Sequence, residues 1–237
     1  MASFRVKGKV FVYLFFTYLI FSSASSQEGR DIMEKEIIKM PTPSYKGKMT
    51  VEEAINKRRS IRYYRREDLS LSEISQLLWA CAGKRVDAVS RATRTFPSAG
   101  GLYPLEVYIV TKKMKDLEAG LYHYDWKEHA LVPLKKGDLR AQLSDAALGQ
   151  GAVLEAPVSI IITAIYQRTS RVYGQRGSIR YVHMDAGHAA ENVYLQAGAI
   201  GLGTVAIGAF FDERVKEVLE LKKEEPLYIL PVGKPAE

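Results

Sequence analysis

Two stretches of the chain repeat apolar residues at helical spacing behind the same start signal. Thr50 stands three residues before Glu53, and Val51, Ala54 and Ile55 follow on one face. Ser70 and Glu73 repeat the arrangement ahead of Leu71, Ile74, Leu77, Leu78 and Cys81. In each box a hydroxyl accepts from the third amide while the glutamate reaches back, so both are predicted to open helices.

Period-two patterns take over further on. Leu105, Val107 and Ile109 alternate with Glu106, Tyr108 and Val110 as a strand. "GLYHYDWKEHALVPL", Gly120 to Leu134, reads as a hairpin around the polar turn Asp125 to His129. The unbroken apolar run Ala156 to Ile165 predicts a strand buried on both faces. Val182 to Ala199 returns to helical spacing, with small residues at Ala186, Gly187, Ala189, Ala190, Ala197 and Gly198. Such residues let backbones approach, so a central helix packed on most sides is expected.

The pieces between are weaker. Asp138 is expected to cap a short helix through Ala147, and Tyr166 to Arg180 reads as a polar loop or lid. "GTVAIGAF", Gly203 to Phe210, predicts a strand, "DERVKEVLEL" a helix capped by Asp212, and "PLYILPVG" a last strand. Strands alternate with helices but the hairpin spoils a parallel wind, so the class is α+β. The domain is expected over 49–237, preceded by an extended arm over 27–48 that contains Pro41 and Pro43.

Composition adds limits. With 237 residues, 47% of them hydrophobic, the chain can build one substantial core. Its net charge is +7, but Arg5, Lys7 and Lys9 belong to an acid-free leader, which leaves a mild, dispersed surplus that does not argue for nucleic acid. Cys81 is the single cysteine, which excludes an internal disulfide, and its apolar helix face makes it a core residue.

Residues 1–26 hold the apolar run Val10 to Phe21 between basic residues and "SSASS". Three readings stand. Cleavage of a secretory signal near Ala24 would place the domain outside the cytoplasm. An uncleaved anchor would tie it to a membrane by that segment alone. Translation from Met33 would leave the protein cytoplasmic.

Self-contained catalytic motifs are missing: no Gly-x-Ser-x-Gly, no Walker loop, no Gly-x-Gly-x-x-Gly. His183 and His188 are five apart, which turns them to different helix faces, so no metal site is expected. Three other features suit a flat anionic ligand. Arg58, Arg59, Ser60 and Arg62 end the first helix with guanidinium forks and a hydroxyl. "FPSAGGLYP" offers backbone that no side chain at Gly100 or Gly101 shields. "GLGTVAIGAF" supplies a third glycine-rich edge.

Taken together, "KRRSIRYYRREDLSLSEISQLLWACAG", "PSAGGLYPLEVYIV", "DAGHAAENVYLQAGAIGLGTVAIGAF" and "PVGKP" resemble the nitroreductase superfamily, in particular its SagB-type dehydrogenase branch. The resemblance runs from about Met49 to Pro235. It implies a central mixed sheet flanked by helices, a homodimer with FMN at the interface, and ping-pong hydride transfer through the flavin, with NAD(P)H as a candidate donor. By position it implies phosphate contacts from Arg58 and Ser60, a ribityl and phosphate contact from Arg59, and a cation near the pyrimidine from Arg62. Pro97, Ser98, Ala99, Gly100 and Gly101 match the segment against the ring. Thr204, Val205, Ala206 and Gly208 match the strand start at the ring edge, where a backbone amide would reach N5.

Two departures qualify the resemblance. Lys234 is the one nearby candidate for the basic residue that relatives place after the final strand. The branch's azoline oxidases carry a Lys-Tyr pair where this chain reads Val172-Tyr173, so Tyr173 is retained as the catalytic candidate while azoline oxidation loses its base. The expected substrate is a small planar or peptide-derived molecule bound under the segment Tyr166 to Arg180.

Overall fold

A computed structural model describes residues 37–89 and 92–236. The signal or anchor expected over 1–26, the alternative start at Met33 and the arm before residue 37 lie outside the described residues. Among the described residues no helix is long and apolar enough to cross a membrane.

The elements run β1 (Ile38–Lys39), α1 (Val51–Lys57), α2 (Leu71–Ala82), β2 (Lys84–Val89), β3 (Ala92–Arg94), β4 (Leu105–Thr111), β5 (Gly120–Asp125) and β6 (Ala130–Lys136). They continue α3 (Arg140–Ala146), α4 (Gly151–Glu155), β7 (Val158–Ala164), α5 (Gln167–Tyr173), α6 (Val182–Ala199), β8 (Gly203–Thr204), α7 (Asp212–Leu219) and β9 (Glu225–Gly233). Both predicted capping boxes are formed: Thr50 and Ser70 accept from the amides of Glu53 and Glu73, whose carboxylates accept from the cap amides.

Seven strands form one sheet in the order β1-β6-β5-β4-β7-β9-β8. The expected mixed sheet is antiparallel in all its ladders: β7 and β8 run the same way across the α5–α6 connection, but β9 stands between them and pairs antiparallel with both. Parallel pairing among the described residues is confined to the bridge Ser60–Thr204. Strand β7 lies inside the sheet between β4 and β9, all seven of its residues buried, as its continuous apolar run requires. One core cluster unites α2, α6 and the near face through Leu77, Leu78, Ile109, Ile160 and Val193. The second fills the far face under α3, α4 and α7 through Val110, Leu143, Val153, Val215 and Ile229. Each such side chain contributes about 2 kcal/mol on burial. Cys81 is fully buried in the first cluster, and burial pushes its thiol up to about 12.

Helix α6 is central as expected, but its alanines do the close packing. Ala186, Ala189, Ala190 and Ala197 are buried, whereas a Cβ added at Gly187 or Gly198 would meet nothing.

Four local expectations change. Tyr166 to Arg180 is not a loop: it holds α5 and the start of a π-helical turn, Gly177–Tyr181, that runs into α6. Only Thr169 and Gly177 are buried in these two elements, too narrow a stripe to give an amphipathic pattern. The strand expected over Gly203 to Phe210 stops at Thr204, with one further bridge from Ile207 to Ile229. Asp212 is the first residue of α7 rather than its cap, so it acts on the helix dipole. Asp138 lies before α3, whose cap position is Leu139; its carboxylate accepts from the Arg140 amide at 3.1 Å.

Candidate active site

After α1 the chain crosses the end of the sheet. Ile61 N donates to Thr204 O at 2.8 Å, and bridges join Ser60 to Thr204 and Tyr64 to Pro235. This crossing explains two glycines. A Cβ on Gly203 would stand 2.7 Å from the Ile61 side chain, and one on Gly233 would stand 2.9 Å from the Tyr64 ring. Glycine therefore lets the cationic segment lie flat on β8 and β9.

Tyr194 of α6 organises what the crossing presents. Its hydroxyl accepts from Ala206 N at 2.7 Å and lies 3.0 Å from Ser60 Oγ. The Arg58 guanidinium sits over the Tyr194 ring, 5.4 Å from its centre, and its Nε is 3.9 Å from Glu191. Arg59 and Arg62 are exposed and form no ion pair among the described residues. Arg58, Arg59, Tyr194, Gly203 and Thr204 line a cleft of about 550 Å³. Guanidinium forks beside a hydroxyl match the geometry of a phosphate group, so these residues fit one.

The expected edge at 204–208 is only partly available. Thr204 and Val205 are buried; Thr204 Oγ1 donates to Pro231 O at 2.9 Å. The amides of Ala206 and Ile207 are taken by Tyr194 and Ile229, while Gly208 is exposed. Lys234 reaches Glu67 instead, at 3.0 Å, and that carboxylate raises its pKa.

The loop Pro97 to Gly101 is held at the other end of α6. Asp185, 3% exposed, accepts from Ser98 Oγ at 2.5 Å and from the Ala99 backbone. Ser98 Oγ in turn accepts from Tyr103 N at 2.9 Å. Between these anchors Gly100 (φ +63°), Gly101 (φ +66°) and Tyr103 (φ +47°) are left-handed. Burial raises the Asp185 pKa against the hydrogen bonds from Ser98 and Ala99. The base of the loop is pinned by buried Arg94, which donates to Ala82 O and Leu105 O at 3.0 Å each and lies over the Trp126 ring. Neither Asp185 nor Arg94 stood out in the sequence; an acid in the first turn of a small-residue helix was the available signal for Asp185.

Gly100 is not bare. A Cβ there would meet the Tyr173 hydroxyl at 2.7 Å. Tyr173, at the end of α5, stacks edgewise on Tyr181 with ring centres 5.0 Å apart. Helix α5 is fastened by Arg168, which donates to Tyr103 O at 3.2 Å and to Glu106 at 2.5 Å; Glu106 also binds His123 at 2.9 Å. Tyr173 thus closes over the loop, whereas Val172 beside it is 60% exposed.

Helix α6 separates the two halves. Asp185 and Tyr194 are nine residues apart, about 14 Å along the axis and about half a turn around it. Within one chain, therefore, Arg58 to Arg62 and Pro97 to Gly101 face opposite sides of the same helix, and no residue of the loop lines the cationic cleft.

Comparison with known proteins places this arrangement. The Nitroreductase family model matches residues 55–234, so the chain belongs to the nitroreductase family. It is 44% identical over 187 residues to a nitroreductase-family protein of Methanocaldococcus jannaschii, covering 79% of this chain and 92% of that one. A solved nitroreductase-family structure from Ralstonia eutropha superposes with a TM-score of 0.72 at 29% identity, over 85% of this chain and 90% of the other. The chain is also 27% identical over 133 residues to the microcin B17-processing protein McbC of Escherichia coli, covering 54% of this chain and 48% of that protein. It spans about half the length of McbC and of the trifolitoxin proteins it matches. The protein is a nitroreductase-family oxidoreductase.

Proposed function

We propose that this protein is an FMN-dependent oxidoreductase that works as a homodimer on a small planar or peptide-derived substrate, with NAD(P)H as a candidate donor. The observation that carries this reading is the division of the site by α6. A second copy would set its Pro97 to Gly101 loop against the cleft of Arg58 to Arg62, making one cradle from two chains. When bound, FMN supplies two-electron transfer, accepting hydride from a donor and passing the reducing equivalents to an acceptor.

Each residue has a definite task in this reading. Arg58, Arg59 and Ser60 hold the phosphate, with Tyr194 orienting the serine hydroxyl. Arg62 places a cation where negative charge develops on reduction. The wall from Pro97 to Gly101 is held in shape by buried Asp185, which accepts from Ser98 and Ala99. Tyr173 covers the reacting face and can hold a proton at its hydroxyl.

The experiment is direct. The purified protein should be yellow, release FMN on denaturation and run as a dimer in light scattering. Anaerobic NADH or NADPH should bleach it, and a nitroaromatic or quinone should restore the colour. A colourless monomer that ignores added FMN would end the proposal; a flavin that binds but is never reduced would make the protein a non-catalytic flavin module.

Azoline oxidation on a ribosomal peptide is the second reading, supported by the likeness to McbC. It requires a base beside Tyr173, and exposed Val172 supplies none.

A further inference from the structure

Residues 27–237 carry a surplus of four cations, which is the number of arginines between Tyr166 and Met184. The rest of that span is neutral, and no Asp or Glu occurs between Glu155 and Asp185. Four cations and no acid therefore stand together on α5, the π-helical turn and the residues that join them. Arg168 spends its charge on Glu106. Arg171, Arg176 and Arg180 are exposed and form no ion pair among the described residues.

Their place gives this charge a use. Arg171 and Arg176 flank Tyr173, whose hydroxyl lies over Gly100; Arg180 precedes Tyr181, whose ring packs on Tyr173. Val172 and Ile179, 60% and 59% exposed, stand among them. A solvated helix face ordinarily mixes both signs along its length. Here guanidinium groups, all within seven residues of the tyrosine whose hydroxyl lies over Gly100, alternate along the chain with apolar and aromatic side chains. Such a surface attracts an anion from a distance and stacks its flat part on arrival.

We infer that this face selects reactants that carry a carboxylate or a phosphate next to a planar group. The inference rests on the oxidoreductase reading above and names the chemistry of what reaches the site. The anion could belong to the acceptor, as a ring carboxylate, or to the donor, as the 2′-phosphate that separates NADPH from NADH.

The test uses the full-length protein as purified. Binding of 4-nitrobenzoate and of its neutral methyl ester is followed by quenching of tyrosine fluorescence, at low salt and at high salt. The carboxylate should bind about tenfold more tightly than the ester at low salt, equivalent to one charged hydrogen bond, and the advantage should shrink as salt screens the guanidinium groups. In R171Q/R176Q/R180Q the advantage should vanish, with the thermal midpoint unchanged because all three side chains are exposed. Turnover with each acceptor, and with NADPH against NADH, then assigns the anion to acceptor or donor by which preference the triple variant loses. Equal binding of acid and ester, together with equal binding of NADPH and NADH read by the same quenching, overturns the inference. Should the variant unfold, the salt dependence of the unaltered protein still decides. Absence of any turnover counts against the oxidoreductase reading alone, because the binding comparison stands without it.

Discussion

At the first turn of α6 a buried carboxylate holds a loop of left-handed residues; nine residues later a tyrosine holds a serine while cations stand in solvent. The loop end carries its strain internally and is complete within one chain. The cationic end is solvated, and among the described residues Arg59 and Arg62 form no ion pair, which leaves their charge for the proposed phosphate. Preformed shape at one end and unspent charge at the other are different investments, and they predict different responses to mutation.

Asp185→Ala should have the largest effect, a loss of about 2–3 kcal/mol in urea unfolding, because the Ser98 hydroxyl and Ala99 amide lose a buried acceptor. A loss under about 0.5 kcal/mol would mean that the loop keeps its shape without the carboxylate. Gly100→Val comes next, at about 1–2 kcal/mol, from a left-handed backbone and the displaced Tyr173 hydroxyl. Stability should therefore fall before flavin occupancy is tested at all, and unfolding curves of the flavin-free chain measure it.

Ser60→Ala should reverse the pattern at the other end of the helix. FMN affinity should drop about fivefold to tenfold, about 1–1.4 kcal/mol, while the unfolding midpoint stays put. A titration that finds unchanged affinity would remove Ser60 from the phosphate site.

Two smaller effects sharpen the contrast. The folded-state pKa of Asp185 is raised, so its contribution is fully present below the ordinary aspartate value and is lost as pH rises through the raised one. The deficit of Asp185→Asn relative to the unaltered protein should accordingly be greatest in acid and narrow toward neutrality, read from unfolding curves across pH. Lys234→Met should leave FMN affinity unchanged, since Glu67 already occupies that ammonium. A clear loss in the titration would return Lys234 to the phosphate site.

The sequence supplied much of this in advance where one residue type forces one geometry. Both capping boxes, the buried β7 run and the β5–β6 hairpin were legible because their signals are local. Tyr166 to Arg180 was misread because helices with two buried residues leave no apolar period. The strand at Gly203 was overextended because its β-forming residues turn away after two positions to reach Tyr194 and Ile229.

The site divides the same way. Arg58, Arg59, Ser60, Arg62 and the Pro97 to Gly101 loop could be picked out from residue chemistry and resemblance. Tyr194, Asp185 and Arg168 could not, because a tyrosine, an aspartate and an arginine on helices have no meaning until their partners are known. By itself the sequence determined the class of fold, the cationic segment and the glycine loop, all of which follow from short-range pattern. Only the tertiary structure decided that α6 stands between the last two, that Tyr173 covers Gly100 and that Lys234 is spent on Glu67. Those outcomes depend on which side of a helix each contact falls, and helical phase fixes that only once both partners are in place.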